Sequence, residues 1–151
     1  MTTSLLAADE PRLHACAIDN QSFPTSLPIF ESDAQRYAWI VAEYRRRLRP
    51  GVNRARLARD LAAIAFETPI EQLVSASRKW PLAHVRQKIV CFTFLMTDVS
   101  WHALGALFNR DHATIIFACR KYAVEVEAML GVAIVRPFHL HIIEKDQGGL
   151  K

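Results

Sequence analysis

Between residues 98 and 121 runs DVSWHALGALFNRDHATIIFACRK, a stretch whose apolar spacing fits two helices joined by a tight turn. Ser100 is placed to cap the first helix, because its hydroxyl can accept from a backbone N–H that the opening turn leaves unpaired. Leu104, Leu107 and Phe108 give that helix an apolar side, and the turn falls at Phe108 to Arg110. The second helix opens with Asp111 and His112 and continues to about Gly131 with Ile115, Cys119, Tyr122, Val126 and Met129 as one stripe. A helix pair of this size cannot bury its own apolar faces, so the rest of the chain has to cover it.

The rest can do so. With 151 residues and 51% hydrophobic content the chain suffices for one core of ordinary size. No apolar run reaches the ~18 residues of a membrane span, and the first ten residues lack the basic start and long apolar stretch of a secretory signal. The expected location is the cytoplasm. Cys16, Cys91 and Cys119 are odd in number and lack metal-type spacing, which favours buried reduced thiols. The formal net charge is +4, unevenly spread. Residues 1–35 carry one Arg against five acids, so 36–151 hold 18 basic and 10 acidic groups. A basic body behind an acidic leader suits a polyanionic partner.

Residues 1–31, with Pro11, Pro24 and Pro28 and no helical or strand period, read as a flexible acidic leader that can lay Phe23 or Phe30 on the domain. From 32 to 147 the expectation is a single all-α domain of about six helices without a sheet. Ser32 and Gln35 form a capping-box pair ahead of Tyr37, Ile40, Val41, Tyr44 and Leu48, and Pro50-Gly51 ends that helix. Asn53 caps a second, with Leu57, Leu61 and Ile64 inward and Arg54, Arg56 and Arg59 outward. Seven arginines and no acid lie between Arg45 and Arg59: either a solvated face or a track for phosphates, with Arg45, Arg46 and Arg47 leading it. Thr68-Pro69-Ile70-Glu71 reads as a cap, a first-turn proline and a closing carboxylate for a short helix. A loop exposing Arg78 and Lys79 leads to Pro81, which opens a long helix to about Met96. That helix is polar for one turn, with Arg86, Gln87 and Lys88, then apolar on nearly every side, as a central beam must be. Ile134, Phe138, Ile142 and Ile143 can seal the core, and His139 and His141 read as a solvent-side pair.

Arg110-Asp111-His112-Ala113-Thr114, followed by an apolar pair, Phe117, Ala118, Cys119 and Arg120-Lys121, resembles the signature of the DNA-binding domain of the bacterial replication initiator family DnaA. The resemblance extends upstream through Arg86-Gln87, Ser100 and Gly105 and covers roughly residues 66 to 125. It implies a helix-turn-helix of the DnaA C-terminal, Trp-repressor-like type at about 100–130. It also implies minor-groove entry by Arg78 of the basic loop, beside Lys79, and DNA-backbone contacts by Arg86 and Gln87. Ala113 stands where the family has Thr, Asn109 replaces a Gly-Gly pair in a turn one residue shorter, and Trp101-His102 replace Leu-Pro. Those departures bear on the target sequence, not on the mode of binding.

A helix-turn-helix reads DNA by laying the start of its second helix in the major groove, where every base pair displays a distinct pattern of donors and acceptors. Arg110 has the fork that fits guanine, Asp111 can accept from a cytosine amino group or merely cap the helix, His112 can donate or accept, Ala113 can meet a thymine methyl, and Thr114 can hold a phosphate. No Gly-x-x-x-x-Gly-Lys-Ser/Thr loop occurs, so no nucleotide is expected. No catalytic constellation, metal set or cofactor motif stands out. The expectation is therefore a non-enzymatic, sequence-specific binder of double-stranded DNA, acting in transcription or at replication origins, with a protein partner or a second copy left open. A helical protein-interaction module that does not use the DNA surface is the alternative, which exposure of Phe117 or Trp101 would favour.

Overall fold

A computed structural model describes residues 27–138; the leader up to residue 26, Cys16, Phe23, and the terminal residues with His139, His141, Ile142 and Ile143 lie outside the described residues. The described chain forms six α-helices and no strand: α1 (Asp33–Arg47), α2 (Arg54–Ala65), α3 (Ile70–Leu73), α4 (Leu82–Met96), α5 (Trp101–Phe108) and α6 (His112–Leu130), with a 3₁₀ turn at Gly131–Ala133.

Local signals set most of the boundaries. Ser32 accepts from the Gln35 N–H at 3.3 Å, Asn53 from the Arg56 N–H at 3.0 Å, and Ser100 from the Ala103 N–H at 3.0 Å, so α1, α2 and α5 begin where a side-chain oxygen meets an orphan donor. Gly51 takes φ +88° in the turn after α1, a conformation that side chains with a Cβ rarely adopt. Thr68 departs from its expected role. Its hydroxyl donates to the Phe66 carbonyl at 3.0 Å, and α3 starts after Pro69 without a side-chain cap.

The apolar half of α4 is the beam of the core. Every residue from Ile89 to Met96 is buried, and α6 and α2 pack along it. Where α4 meets α6, the Cys91 thiol lies 4.0 Å from the Cys119 carbonyl; both cysteines are free, and burial raises the Cys119 pKa, keeping it a thiol. Tyr37 of α1 stacks on Phe92 at 5.6 Å. The buried stripe of α6 runs through Ile115, Ala118, Cys119, Ala123, Val126 and Leu130. Met129, assigned inward from the sequence, lies outward because the 3.6-residue period drifts over five turns and carries the seam to Leu130.

Arg136 closes the C-terminal end of α4. Its guanidinium lies 3.8 Å over the Phe94 ring and donates to the Phe94 and Val99 carbonyls, while the N–H groups of Val135 and Arg136 donate to the Leu95 carbonyl. The other face of Phe94 stacks on Trp101 at 4.4 Å, so Trp101 is a packing residue of α5.

Candidate nucleic-acid interface

The turn between α5 and α6 is three residues of fixed chemistry. Asn109 sits in the left-handed region at φ 55°, which Asn tolerates better than most side chains. The Arg110 N–H donates back to the Gly105 carbonyl at 2.8 Å, and any Cβ at position 105 would collide with the Arg110 carbonyl oxygen. Gly105 is thus required by close approach of the two helices. Asp111 caps α6, accepting from the Thr114 N–H at 2.8 Å. That N–H, the strongest of several influences, holds the Asp111 pKa below its ordinary value. The carboxylate is ionised at neutral pH, with its second oxygen outside the cap bond.

Asp111, His112, Ala113 and Thr114 are all exposed at the opening of α6, continued by Phe117 at 58% exposure and by Arg120 and Lys121. The His102 ring of α5 stands 4.8 Å from that of His112. The sequence reading missed this neighbour, although two helices meeting at a tight turn bring their first turns together.

Arg110 is not free on this face. It lies in the turn, half-buried, and its guanidinium donates to the Asn109 carbonyl at 2.9 Å and to the Ser75 carbonyl. Arg86 is a clearer correction. It was expected at an exposed helix end, yet it is 5% exposed, and its guanidinium donates to the carbonyls of Leu73 at 2.7 Å, Gln72 at 3.1 Å and Ser75 at 3.4 Å. The Leu73 carbonyl at the end of α3 is buried, and Arg86 serves it as a C-cap would, while the Gln72 carbonyl also accepts from Ser75. Burial and the neighbouring Arg110 cation both lower its pKa. Asn109 adds a third tie, from its side-chain amide to the Val74 carbonyl at 3.2 Å. The base of the loop after α3 is thereby fastened to the helix-turn-helix by Asn109 and Arg110. Beyond that base, Arg78 and Lys79 are exposed. Gln87 is half-buried.

The arginine run divides. Arg46 and Arg47 both donate to Glu43, just ahead of the acid-free stretch, and Arg47 is buried. Arg59, assigned outward, is 7% exposed, paired with buried Asp60, and donates to the Leu107 carbonyl at 2.9 Å. Arg45, Arg49, Arg54 and Arg56 stay exposed around the α1–α2 turn. Of the expected set 45 to 47, only Arg45 combines exposure with no acid bonded in the described hydrogen-bond and ion-pair pattern. Among the described residues no three His, Cys, Asp or Glu side chains gather as a metal site, and no helix is long and apolar enough to cross a membrane.

Two helices at a three-residue turn, the second capped by an acid and exposed at its first turn, on an otherwise helical core, define the helix-turn-helix class. Residues 60–121 match the family described as the bacterial dnaA protein helix-turn-helix, so this unit is similar to the DnaA C-terminal type. Chromosomal replication initiator proteins DnaA from two strains of Porphyromonas gingivalis are 36% identical to the chain over 63 residues. That alignment covers 41% of this chain and 13% of each of those proteins. No solved structure matches the chain.

Proposed function

We propose that this chain binds double-stranded DNA sequence-specifically, in the cytoplasm, as a regulator of transcription or a factor at replication origins. The observation that carries the reading is the exposed quartet Asp111, His112, Ala113 and Thr114 at the first turn of α6, within a DnaA-type helix-turn-helix. His112 and Ala113 meet base edges, the second oxygen of Asp111 accepts from an amino group, and Thr114 holds a phosphate. Arg110 reaches a base only by exchanging its bond to the Ser75 carbonyl, so His112 is the primary reader. Arg78 and Lys79 enter the adjacent minor groove, and Arg45 with Arg49, Arg54 and Arg56 extends the contact with phosphates. Arg86 acts through the loop it holds. A protein-interaction role is favoured by one feature, the exposure of Phe117 on the same face.

Selection of bound duplexes from a random pool supplies the site, and competition against single-base changes tests it. His112→Ala should remove ~1–3 kcal/mol of discrimination at one or two base pairs and leave nonspecific binding intact. A folded His112→Ala protein with full base preference would move the base reading away from α6, and a folded chain that selects no duplex, with self-association lost on Phe117→Ser, would move the function to the protein-interaction reading.

A further inference from the structure

Trp80 is 75% exposed, which leaves a large apolar surface in water at a position no packing requirement explains. We propose that Trp80 is a wedge that enters a base step of the minor groove beside the segment read by α6, unstacks that step and bends the duplex. The inference rests on the DNA-binding reading above and adds a deformation of the DNA to it.

Three observations carry it. The first is support. One side of the Trp80 ring meets the edge of His84 at 6.0 Å, and His84 is held in turn by a 2.6 Å hydrogen bond to the Tyr122 hydroxyl of α6. The wedge therefore stands on a fixed base, which insertion between stacked bases requires. The second is charge. Arg78 and Lys79 precede Trp80, Lys121 lies 3.4 Å from the His84 ring nitrogen, and no Asp or Glu occurs from residue 72 to residue 97. The core of a protein–protein interface is depleted of lysine and of charge, whereas an apolar side chain flanked by cations is the arrangement that unstacks a minor-groove step. The third is position: Trp80 directly follows Arg78 and Lys79, the cations assigned above to the minor groove, and the His84–Tyr122 bond ties its support to α6, the helix assigned to the major groove.

The test uses the full chain with the selected duplex, carrying 2-aminopurine at successive adenine positions and a fluorophore pair at its ends. Wild type should shorten the end-to-end distance and brighten 2-aminopurine at one step flanking the His112-dependent base pairs. Trp80→Phe should keep both signals. Trp80→Ala should lose both and bind about tenfold more weakly, with the His112-dependent base preference unchanged. Since Trp80 is exposed, its urea midpoint should match wild type. A bound duplex that stays straight and dark, or a Trp80→Ala complex bent as much as wild type, overturns the wedge and leaves base reading by α6 standing. Failure of the wild-type chain to bind any selected duplex overturns both. A Trp80→Ala change that dissolves a dimer without altering the bend assigns the ring to a second copy instead, and also overturns the wedge.

Discussion

Arg86 donates to three main-chain carbonyls with one guanidinium, and of the three the Leu73 carbonyl is the buried one. Arg86→Ala should therefore cost about 1–3 kcal/mol by taking the donor from the buried Leu73 carbonyl. Arg86→Lys should recover little, since a single ammonium cannot meet the three carbonyls in that geometry. Urea unfolding checks both, and a variant that loses DNA affinity at unchanged stability would return Arg86 to the phosphate contact expected of it from the sequence. Glu43 offers a titration at the same scale. Hydrogen bonding from Arg46, with Arg47 beside it, lowers the Glu43 pKa below its ordinary 4.5. A carboxyl with a depressed folded-state pKa adds stability above its unfolded pKa and loses it as pH falls through the folded one. The urea midpoints of wild type and Glu43→Gln should differ most above pH 4.5 and converge below it; a gap that widens on acidification would contradict the pairing.

At the scale of elements, α2 is joined to α5 through one buried pair. Arg59 is held by Asp60, which is 1% exposed, and reaches across 48 residues of sequence to the Leu107 carbonyl. Arg59→Ala leaves Asp60 buried with its main cation gone, so it should cost about 3–5 kcal/mol and loosen α5 from the core. Arg56→Ala, an exposed neighbour, should cost under about 0.5 kcal/mol. Thermal unfolding of the two variants, with hydrogen exchange along α5, makes the comparison. The pair also marks where sequence reading stops. Ser32, Asn53 and Ser100 were legible as caps because each acts on a residue three positions on. The helix-turn-helix was legible because its periods are short and its motif contiguous. Arg47, Arg59, Arg86 and Arg110 were not, since a long stem reaches partners up to 48 residues away and nothing local tells a buried cation from a solvated one. Of the cations of the α1–α2 turn, Arg45, Arg54 and Arg56 are exposed as the sequence suggests, whereas Glu43 claims Arg46 and Arg47.

At the scale of the whole molecule, the cations left over after internal pairing decide how salt acts. If about five of Arg45, Arg49, Arg54, Arg56, Arg78 and Lys79 neutralise phosphates, the logarithm of affinity should fall with the logarithm of salt concentration at a slope of about −4 to −5. Reversing the charge of Arg45, Arg49 and Arg56 together should flatten the slope by about 3 and weaken selected and scrambled duplexes alike. An unchanged slope would show this turn to be a solvated face. Arg46 and Arg47 are already engaged by Glu43 and should contribute little to the slope.

The ties from Asn109 and Arg110 to the carbonyls of Val74 and Ser75 make the α5–α6 turn and the base of the basic loop one body. Two prongs on one body act as a caliper. Duplex DNA turns by about 35° with each base pair, so one pair inserted between the two grooves swings the second groove out of line as well as away. A jaw that cannot pivot has no way to follow it. If α6 and the loop enter adjacent grooves as proposed, the targets of this protein should share one fixed helical phase between their two halves, and a sequence with every base correct and the spacing wrong by a single pair would be, to this chain, no target at all.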